Sequence, residues 1–308
     1  MKVLITGGAG YVGSVLIPQM LASGYEVTVL DNLRYGGQTL LPHFSCPGFE
    51  FIKGDVSDQE TVQRCVGEVD AVVHLAAIVG FPACLKYPEV AENTNVQGTR
   101  NVAEAVSENQ PLVFASTGSN YGKLDAICTE ESPLNPVSFY AITKTQGEEI
   151  VMDTAGGTVL RFATAFGASP RMRLDLLVND FVHQAVVNKQ LIVYERGFRR
   201  TFIHVRDMGK AIQFSLENYD QMKNNSYNVG HESLNYTKED IANAIRKRIP
   251  FYLHYAEVGT DPDQRDYEVS YKKIQEIGYE TTVTLDEGIS ELIRVVDAID
   301  VTSPWLNV

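Results

Sequence analysis

The chain is poor in the features that mark several protein classes. Its only cysteines are Cys46, Cys65, Cys84 and Cys128, with no CxxC pair and no histidine at metal-ligand spacing. That scatter argues against a disulfide framework and a zinc site, and reads as four reduced thiols in packing roles. No apolar stretch reaches membrane-spanning length. The opening Met1-Lys2 runs straight into an apolar strand pattern without a signal-peptide pattern, so the expectation is a soluble cytoplasmic protein. Basic residues are outnumbered, with Lys+Arg 26 against Asp+Glu 39 and a net charge of −13. This balance disfavours nucleic acid and anionic membranes as partners, and an anionic ligand would need a local cluster of arginines. Internal repeats, low-complexity tracts and disordered linkers are absent as well.

What is present is a regular alternation. Apolar runs at 2–6, 26–31, 49–53, 70–76, 112–116 and 158–163 read as buried strands, and several segments between them have helical spacing. Such alternation predicts an α/β fold with a parallel, doubly wound sheet of the Rossmann type. The first unit carries the turn Gly7-Gly8-Ala9-Gly10-Tyr11-Val12-Gly13 between a strand and a helical stretch. Glycines there let the backbone approach a pyrophosphate, and the helix N-terminus offers free N–H groups and the positive end of its dipole. The next strand ends in Asp31, whose carboxylate can accept hydrogen bonds from both hydroxyls of an adenosine ribose and would repel a 2′-phosphate. The pattern predicts NAD in preference to NADP. Pro18 falls inside the first helix and is expected to kink it by removing one backbone hydrogen bond.

After Gly167 the pattern changes to longer irregular segments with clustered arginines. The expected division is an NAD-binding Rossmann domain over 1–167, with 201–219 returning to it, and a smaller mixed α/β domain over 168–308 that is mainly substrate-binding. Within the second part, Leu191–Tyr194 and Phe202–Val205 read as strands and Asp207 as a helix N-cap. Thr237-Lys238-Glu239-Asp240 resembles a capping box, and Leu285–Ile299 reads as a terminal amphipathic helix.

Tyr140-Ala141-Ile142-Thr143-Lys144 supplies chemistry. A tyrosine and a lysine four apart share one helix face. The ammonium favours phenolate and so makes tyrosine usable as a base near neutrality. Ser116-Thr117-Gly118-Ser119 follows the apolar run Leu112-Val113-Phe114, placing hydroxyls at the carboxyl end of a buried strand, where open α/β sheets bind ligands. His74 and His204 lie in strand-like segments and read as hydrogen-bonded core residues, so no metal site is expected.

Together, Thr6–Gly13, Asp31-Asn32-Leu33, Gly54-Asp55-Val56, His74–Ala77, Asn95–Thr99, Ser116-Thr117 with Tyr121-Gly122, Tyr140 with Lys144, and Arg200–Asp207 carry a family resemblance. Over nearly its full length the chain resembles the extended short-chain dehydrogenase/reductases of the nucleotide-sugar epimerase/dehydratase family. The first half is similar to UDP-hexose 4-epimerases. Ser169–Phe181 and Asp261–Tyr267 are more similar to a bacterial branch containing GDP-heptose C4 dehydrogenases. The resemblance implies a tightly held NAD and a nucleotide-diphosphate sugar as substrate. It implies Tyr140 as the base for the 4-hydroxyl, Lys144 on the cofactor ribose and steadying the phenolate, and Thr117 on the 4-oxygen. Cofactor contacts are implied at Gly7, Gly10, Tyr11, Val12, Gly13, Asp31, Asn32, Asp55, Val56, Ala76 and Asn95. Substrate contacts are implied at Ser119 and, on the diphosphate, at Asn179, Arg200 and Arg265. Arg171 and Arg173 read equally well as substrate contacts or salt-bridge partners. Helices at 90–106 and 139–152 pair across a homodimer in the family.

Departures from the family pattern narrow the chemistry. Gly118-Ser119 stand where sugar 4,6-dehydratases carry an Asp-Glu pair. Decarboxylating relatives have a glutamate at the Ser119 position, and 3,5-epimerase/reductases a cysteine. The chain therefore argues against elimination, decarboxylation and C3/C5 epimerisation, and leaves C4 redox chemistry. A 4-epimerase is the favoured outcome, and a C4 dehydrogenase releasing the 4-keto sugar is the alternative. A non-catalytic NAD-binding scaffold is a distant third, disfavoured by the intact Thr117, Tyr140 and Lys144.

Overall fold

The computed structural model describes residues 1–123, 126–257 and 267–299. Strands β1 (Lys2–Thr6), β2 (Glu26–Asp31), β3 (Phe49–Lys53), β4 (Ala71–His74), β5 (Leu112–Thr117) and β6 (Thr158–Phe162) follow the apolar runs. After them come β7 (Thr164–Phe166), β8 (Gln190–Tyr194), β9 (Arg199–His204), β10 (Asn225–Val229), β11 (Asn235–Thr237) and β12 (Tyr252–Ala256). Seven form one sheet in the order β10-β6-β5-β4-β1-β2-β3, and every pairing in it is parallel. The order reverses at β1, which lies between β2 and β4. A crevice at the carboxyl ends of strands flanking such a reversal is where doubly wound sheets bind ligands.

Side-chain alternation divides two cores. Val3 and Ile5 of β1, Val27 and Val29 of β2, and Val73 of β4 pack with Leu16, Ile17 and Met20 of the helix Gly13–Ala22. Leu4, Leu30 and Val72 face the opposite layer and pack with Val62 and Val66 of the helix Gln59–Gly67 and Val102 of the helix Gly98–Ala105. Because both faces are covered, these strands are rich in apolar residues on both sides. The first helix continues through Pro18, which is exposed.

The chain returns to this sheet after residue 167. β10 pairs with β6 from Asn225↔Thr158 to Val229↔Phe162. The helix Val205–Glu217 also belongs to this layer. Its Met208, Ala211, Ile212 and Leu216 share a core with Leu16, Ile17 and Met20, and Gln19 Nε2 donates to the Arg206 carbonyl at 3.2 Å. Residues 201–204 instead lie in β9, in a separate sheet of order β11-β9-β7. This second lobe adds the parallel pair β12-β8, and its core includes Phe166, Val178, Leu191, Phe202, Ile241, Ile289 and Leu292.

The N-cap of the helix Val205–Glu217 is His204, whose Nδ1 accepts from Arg206 N at 3.2 Å. The expected cap, Asp207, lies inside the first turn. β9 runs directly into the helix, which frees the Asp207 carboxylate to accept from Thr282 N at 3.0 Å, Thr282 Oγ1 at 2.6 Å and Val283 N at 2.9 Å. Those bonds tie the approach to the last helix onto the first lobe. Thr237 with Asp240, and Thr284 with Glu287, form capping boxes, each satisfying two otherwise orphaned N–H groups. Among the described residues no helix is long and apolar enough to cross a membrane, and no group of three His, Cys, Asp or Glu side chains is placed to hold a metal ion.

Candidate active site

The turn after β1 is shaped by two close approaches. Gly7 has φ +73°, and a Cβ there would stand 2.7 Å from the Ala76 backbone nitrogen. At Gly13 a Cβ would meet Gly8 at 2.6 Å. Glycine is the residue that permits both. Gly10 N donates to the Gly7 carbonyl at 3.1 Å and Ser14 N to the Gly10 carbonyl at 3.0 Å. The start of the helix Gly13–Ala22 thereby opens on a cavity walled by Gly7, Gly10, Tyr11, Val12 and Gly13, an arrangement suited to an anion.

Asp31 ends β2 beside this turn. Its carboxylate accepts from Ala9 N at 3.0 Å and Leu33 N at 2.8 Å. Burial raises its pKa, and the two amides act against that rise. Asn32 Nδ2 donates to Asp55 at 2.7 Å, and Ser57 donates to the other Asp55 oxygen through N and Oγ at 2.9 and 2.8 Å. Burial opposes the Asp55 charge, yet these bonds together hold the carboxyl below its ordinary range. Asp31, Asn32, Asp55 and Val56 all line the same end of the cavity.

At the end of β4, His74 is buried, with Nδ1 2.7 Å from Thr6 Oγ1 and Nε2 3.0 Å from Thr99 Oγ1. Burial, and then the Lys144 charge, lower its pKa to about 3, so it is a neutral structural pin. Ala76 N donates to Thr6 Oγ1 at 3.2 Å, which sets the segment from Ala76 to Phe81 along the cavity wall. Asn95 is off the wall and fully buried. Its amide accepts from Ile78 N at 2.8 Å and donates to Ile78 O and Thr143 Oγ1, each at 3.0 Å. It fastens the wall segment to the helix Phe139–Thr154, while its neighbour Thr94 faces the cavity.

Thr117 ends β5 and caps the turn that follows. Its Oγ1 accepts from Ser119 N and donates to Ser119 Oγ, both at 3.1 Å. Ser138 Oγ accepts from Ala141 N at 3.2 Å, so the helix Phe139–Thr154 starts with Tyr140 in its first turn and Lys144 one turn on. Thr117, Ser119, Tyr140 and Lys144 share the cavity with the glycine turn. Lys144 is 2% exposed. Burial lowers its pKa to about 7, with Glu148 pulling the other way. Glu148 is itself buried against Arg161, with Nη2 at 2.8 Å. It also accepts from Ser116 Oγ and from Asn120 Nδ2. Its charge is thus held inside the protein, off the cavity wall.

The facing wall comes from the second half: Arg171, Arg173, Leu176, Met208 and Tyr267. The Arg171 guanidinium lies 4.7 Å from the centre of the Tyr35 ring. Arg173 makes a bidentate pair with Asp175 through Nη2 at 2.5 Å and Nε at 3.2 Å. Asn179 and Arg200 are not in this wall. Asn179 Nδ2 donates to the Arg173 carbonyl at 2.8 Å and its Oδ1 accepts from Gly167 N at 3.0 Å, so it fixes the backbone that carries the two wall arginines. Arg200 is 1% exposed on β9, and its Nη1 donates to the Arg199 carbonyl at 3.0 Å. Arg265 lies outside the described residues. The cavity holds about 630 Å³, within the usual range for a small-molecule site. Arg34, Tyr35, Lys123 and Tyr267 also line it. They come from irregular segments with no periodicity that would single them out in a sequence.

A glycine turn at a helix N-terminus, an acidic β2 end, and a Thr/Tyr/Lys set over a doubly wound sheet define a dinucleotide-dependent dehydrogenase-type enzyme. The model of the NAD dependent epimerase/dehydratase family matches residues 3–230, and the chain belongs to that family. It is 28% identical over 331 residues to UDP-glucose 4-epimerase 2 of Arabidopsis thaliana, covering 95% of this chain and 93% of that one. It is 30% identical over 314 residues to UDP-glucuronic acid decarboxylase 1 of Arabidopsis thaliana, covering 95% and 69%. The solved complex of Thermus thermophilus UDP-glucose 4-epimerase with NAD superposes with a TM-score of 0.83 at 27% identity, covering 96% of this chain and 99% of that one. NAD is the cofactor. The residues present fit it: glycines at the closest approaches of the turn, a helix N-terminus facing the cavity, and a carboxylate pinned at the β2 end.

Proposed function

We propose that this protein oxidises C4 of a nucleotide-diphosphate sugar and works as a 4-epimerase. The observation that carries the reading is one cavity shared by Thr117, Tyr140 and Lys144 with the NAD-site residues. Among the described residues, the only carboxylates in its wall are Asp31 and Asp55, both at the dinucleotide end. Elimination or decarboxylation would want an acid at the turn after β5, where Ser119 Oγ is bonded to Thr117 Oγ1.

NAD, when bound, takes up a hydride and returns it. The chain's own part is proton handling and placement. Tyr140 takes the proton of the 4-hydroxyl. The Lys144 ammonium favours the phenolate form of Tyr140 and holds the cofactor ribose. Thr117 Oγ1 steadies the 4-oxygen, with Ser119 beside it. The resemblance gives the diphosphate to Arg200 and Arg265; the guanidinium groups that line the cavity are Arg171 and Arg173, and Asn179 fixes the Arg173 backbone. Planar guanidinium groups suit phosphate oxygens because they donate in pairs.

A homodimer is part of the proposal. Phe81, Leu85 and Val90 are exposed at 40%, 64% and 38% and Ile142 at 40%, on helices that neighbour one another. A cytoplasmic role in carbohydrate biosynthesis belongs to the same reading. A second outcome, C4 dehydrogenation with release of the keto sugar, is favoured by one observation: Arg171 and Arg173, from the segment similar to GDP-heptose dehydrogenases, are in the cavity wall. Incubation of the purified protein with UDP-, GDP-, CDP- and dTDP-sugars, with products read by NMR, tests both. A C4 epimer is expected, and a free 4-keto sugar would select the dehydrogenase. Failure of every sugar with NAD bound would contradict both.

A further inference from the structure

Lys144 carries the positive charge that the Tyr140 base depends on, yet it sits in the interior without a carboxylate of its own. Among the described residues its ammonium has no ion pair or hydrogen bond, and what it meets is an aromatic ring. Nζ stands 3.8 Å from the centre of Phe114, on β5. That is well inside cation–π range, and the attraction grows when both partners are removed from water. The ring is held in place. Phe114 is fully buried and stacks on His74 at 5.6 Å and 27°. The helix carrying Lys144 presents Gly147 to it, and a Cβ there would stand 2.8 Å from the ring's Cζ. Glycine inside a helix is destabilising relative to alanine, and here it permits the close approach.

Glu148, one turn beyond Lys144, is the carboxylate whose charge acts on the ammonium. Arg161 donates to it through Nε and Nη2, at 3.0 and 2.8 Å, and Asn120 Nδ2 at 2.7 Å. It is immobilised at a distance from which it attracts the ammonium without bonding it.

We propose that Phe114 and Glu148 are positioning residues that keep Lys144 cationic and directed at the cavity, the ring face seating the ammonium and the fixed carboxylate attracting it from behind. The inference rests on the Tyr140/Lys144 reading above. The titratable groups around Lys144 are Tyr140 and Glu148 on its own helix, His74 on β4 and Cys84 on the helix Phe81–Lys86, with Arg161 on β6 acting through Glu148. His74 is neutral, and burial pushes the Cys84 thiol up to about 11. Near neutrality neither adds a charge, which leaves the ring and Glu148 to oppose the desolvation of Lys144.

Fluorination of the ring separates electrostatics from packing, because it drains π density with little change in volume. The experiment places 3-fluoro- and 3,5-difluorophenylalanine at position 114 of the full chain, stripped of NAD. Lys144 titration is followed by NMR of [13Cε]-lysine, its resonance assigned by loss in Lys144→Met. The midpoint should fall in the order Phe, monofluoro, difluoro, by roughly half to one pH unit overall. Glu148→Gln should lower it too, and the alkaline limb of the turnover profile should move down in step. A midpoint unchanged in the difluoro protein overturns the ring's role, and one unchanged in Glu148→Gln overturns the carboxylate's. A midpoint that falls with no movement of the turnover limb contradicts the Tyr140/Lys144 reading itself.

Discussion

Removing the buried charge at Lys144 should stabilise the NAD-free protein, by an amount that depends on pH. Lys144→Met keeps the length and apolar stem of the side chain and deletes the ammonium. Burial moves the group from 10.5 to about 7 in the folded state. Because the folded value is the lower one, the unfolded chain binds the proton first as pH falls. Wild-type stability therefore declines between the unfolded and folded values, and the loss is complete below about pH 7. At about 1.36 kcal/mol per unit, the cost of carrying the folded ammonium approaches roughly 5 kcal/mol in acid. The methionine variant should thus gain most near pH 6, and its advantage should shrink by about 3 kcal/mol by pH 9. Urea unfolding of both stripped proteins at pH 6, 7.5 and 9 measures this, and titrations common to the two proteins cancel in the difference. An advantage that does not change with pH would mean that Lys144 titrates normally in the fold and is not held as a desolvated ammonium.

Tyr140→Phe removes only the phenolic oxygen, so NAD binding should survive while turnover falls by about a hundredfold or more; near wild-type turnover would remove Tyr140 from the mechanism. Asp31→Ala should narrow the preference for NAD over NADP by removing the repulsion of a 2′-phosphate, as read by calorimetric affinities for both, and an unchanged ratio would detach Asp31 from the ribose. Arg161→Met leaves Glu148 charged and buried without its cation, and should destabilise by about 3–5 kcal/mol in denaturant unfolding; pairing it with Glu148→Met should recover most of the loss, and failure to do so would assign the cost to packing.

The parts legible in the sequence were those whose physics is local. Six strands are visible because each carries a short run rich in apolar residues, and the glycine turn and the Tyr140/Lys144 spacing are short-range patterns. β10 was not visible, because Asn225-Ser226-Tyr227-Asn228-Val229 lacks an apolar run. Its Asn228 is a buried polar junction that accepts from Tyr121 OH at 2.7 Å and donates to the Ser270 carbonyl at 3.1 Å. The helix start at Val205 was displaced from the expected Asp207 because a histidine ring supplies the cap and the aspartate serves a segment 75 residues away. Arg173 illustrates the limit at the site. Sequence left it between salt bridge and substrate contact, and the fold gives it both a partner in Asp175 and a place in the cavity wall. Family resemblance points to Asn95 and Asn179 as ligand contacts, and in the fold both bond backbone that shapes the wall.

Oxidation of the substrate at C4 and its reduction again at the same carbon can be followed with a deuterium placed at C4 of the sugar. The expected product is an inverted sugar that retains the label at C4, read by NMR and mass spectrometry after single and multiple turnovers. Inversion with the C4 label lost to solvent, or conversion in which the C4–deuterium bond is never broken and another carbon exchanges, would contradict it.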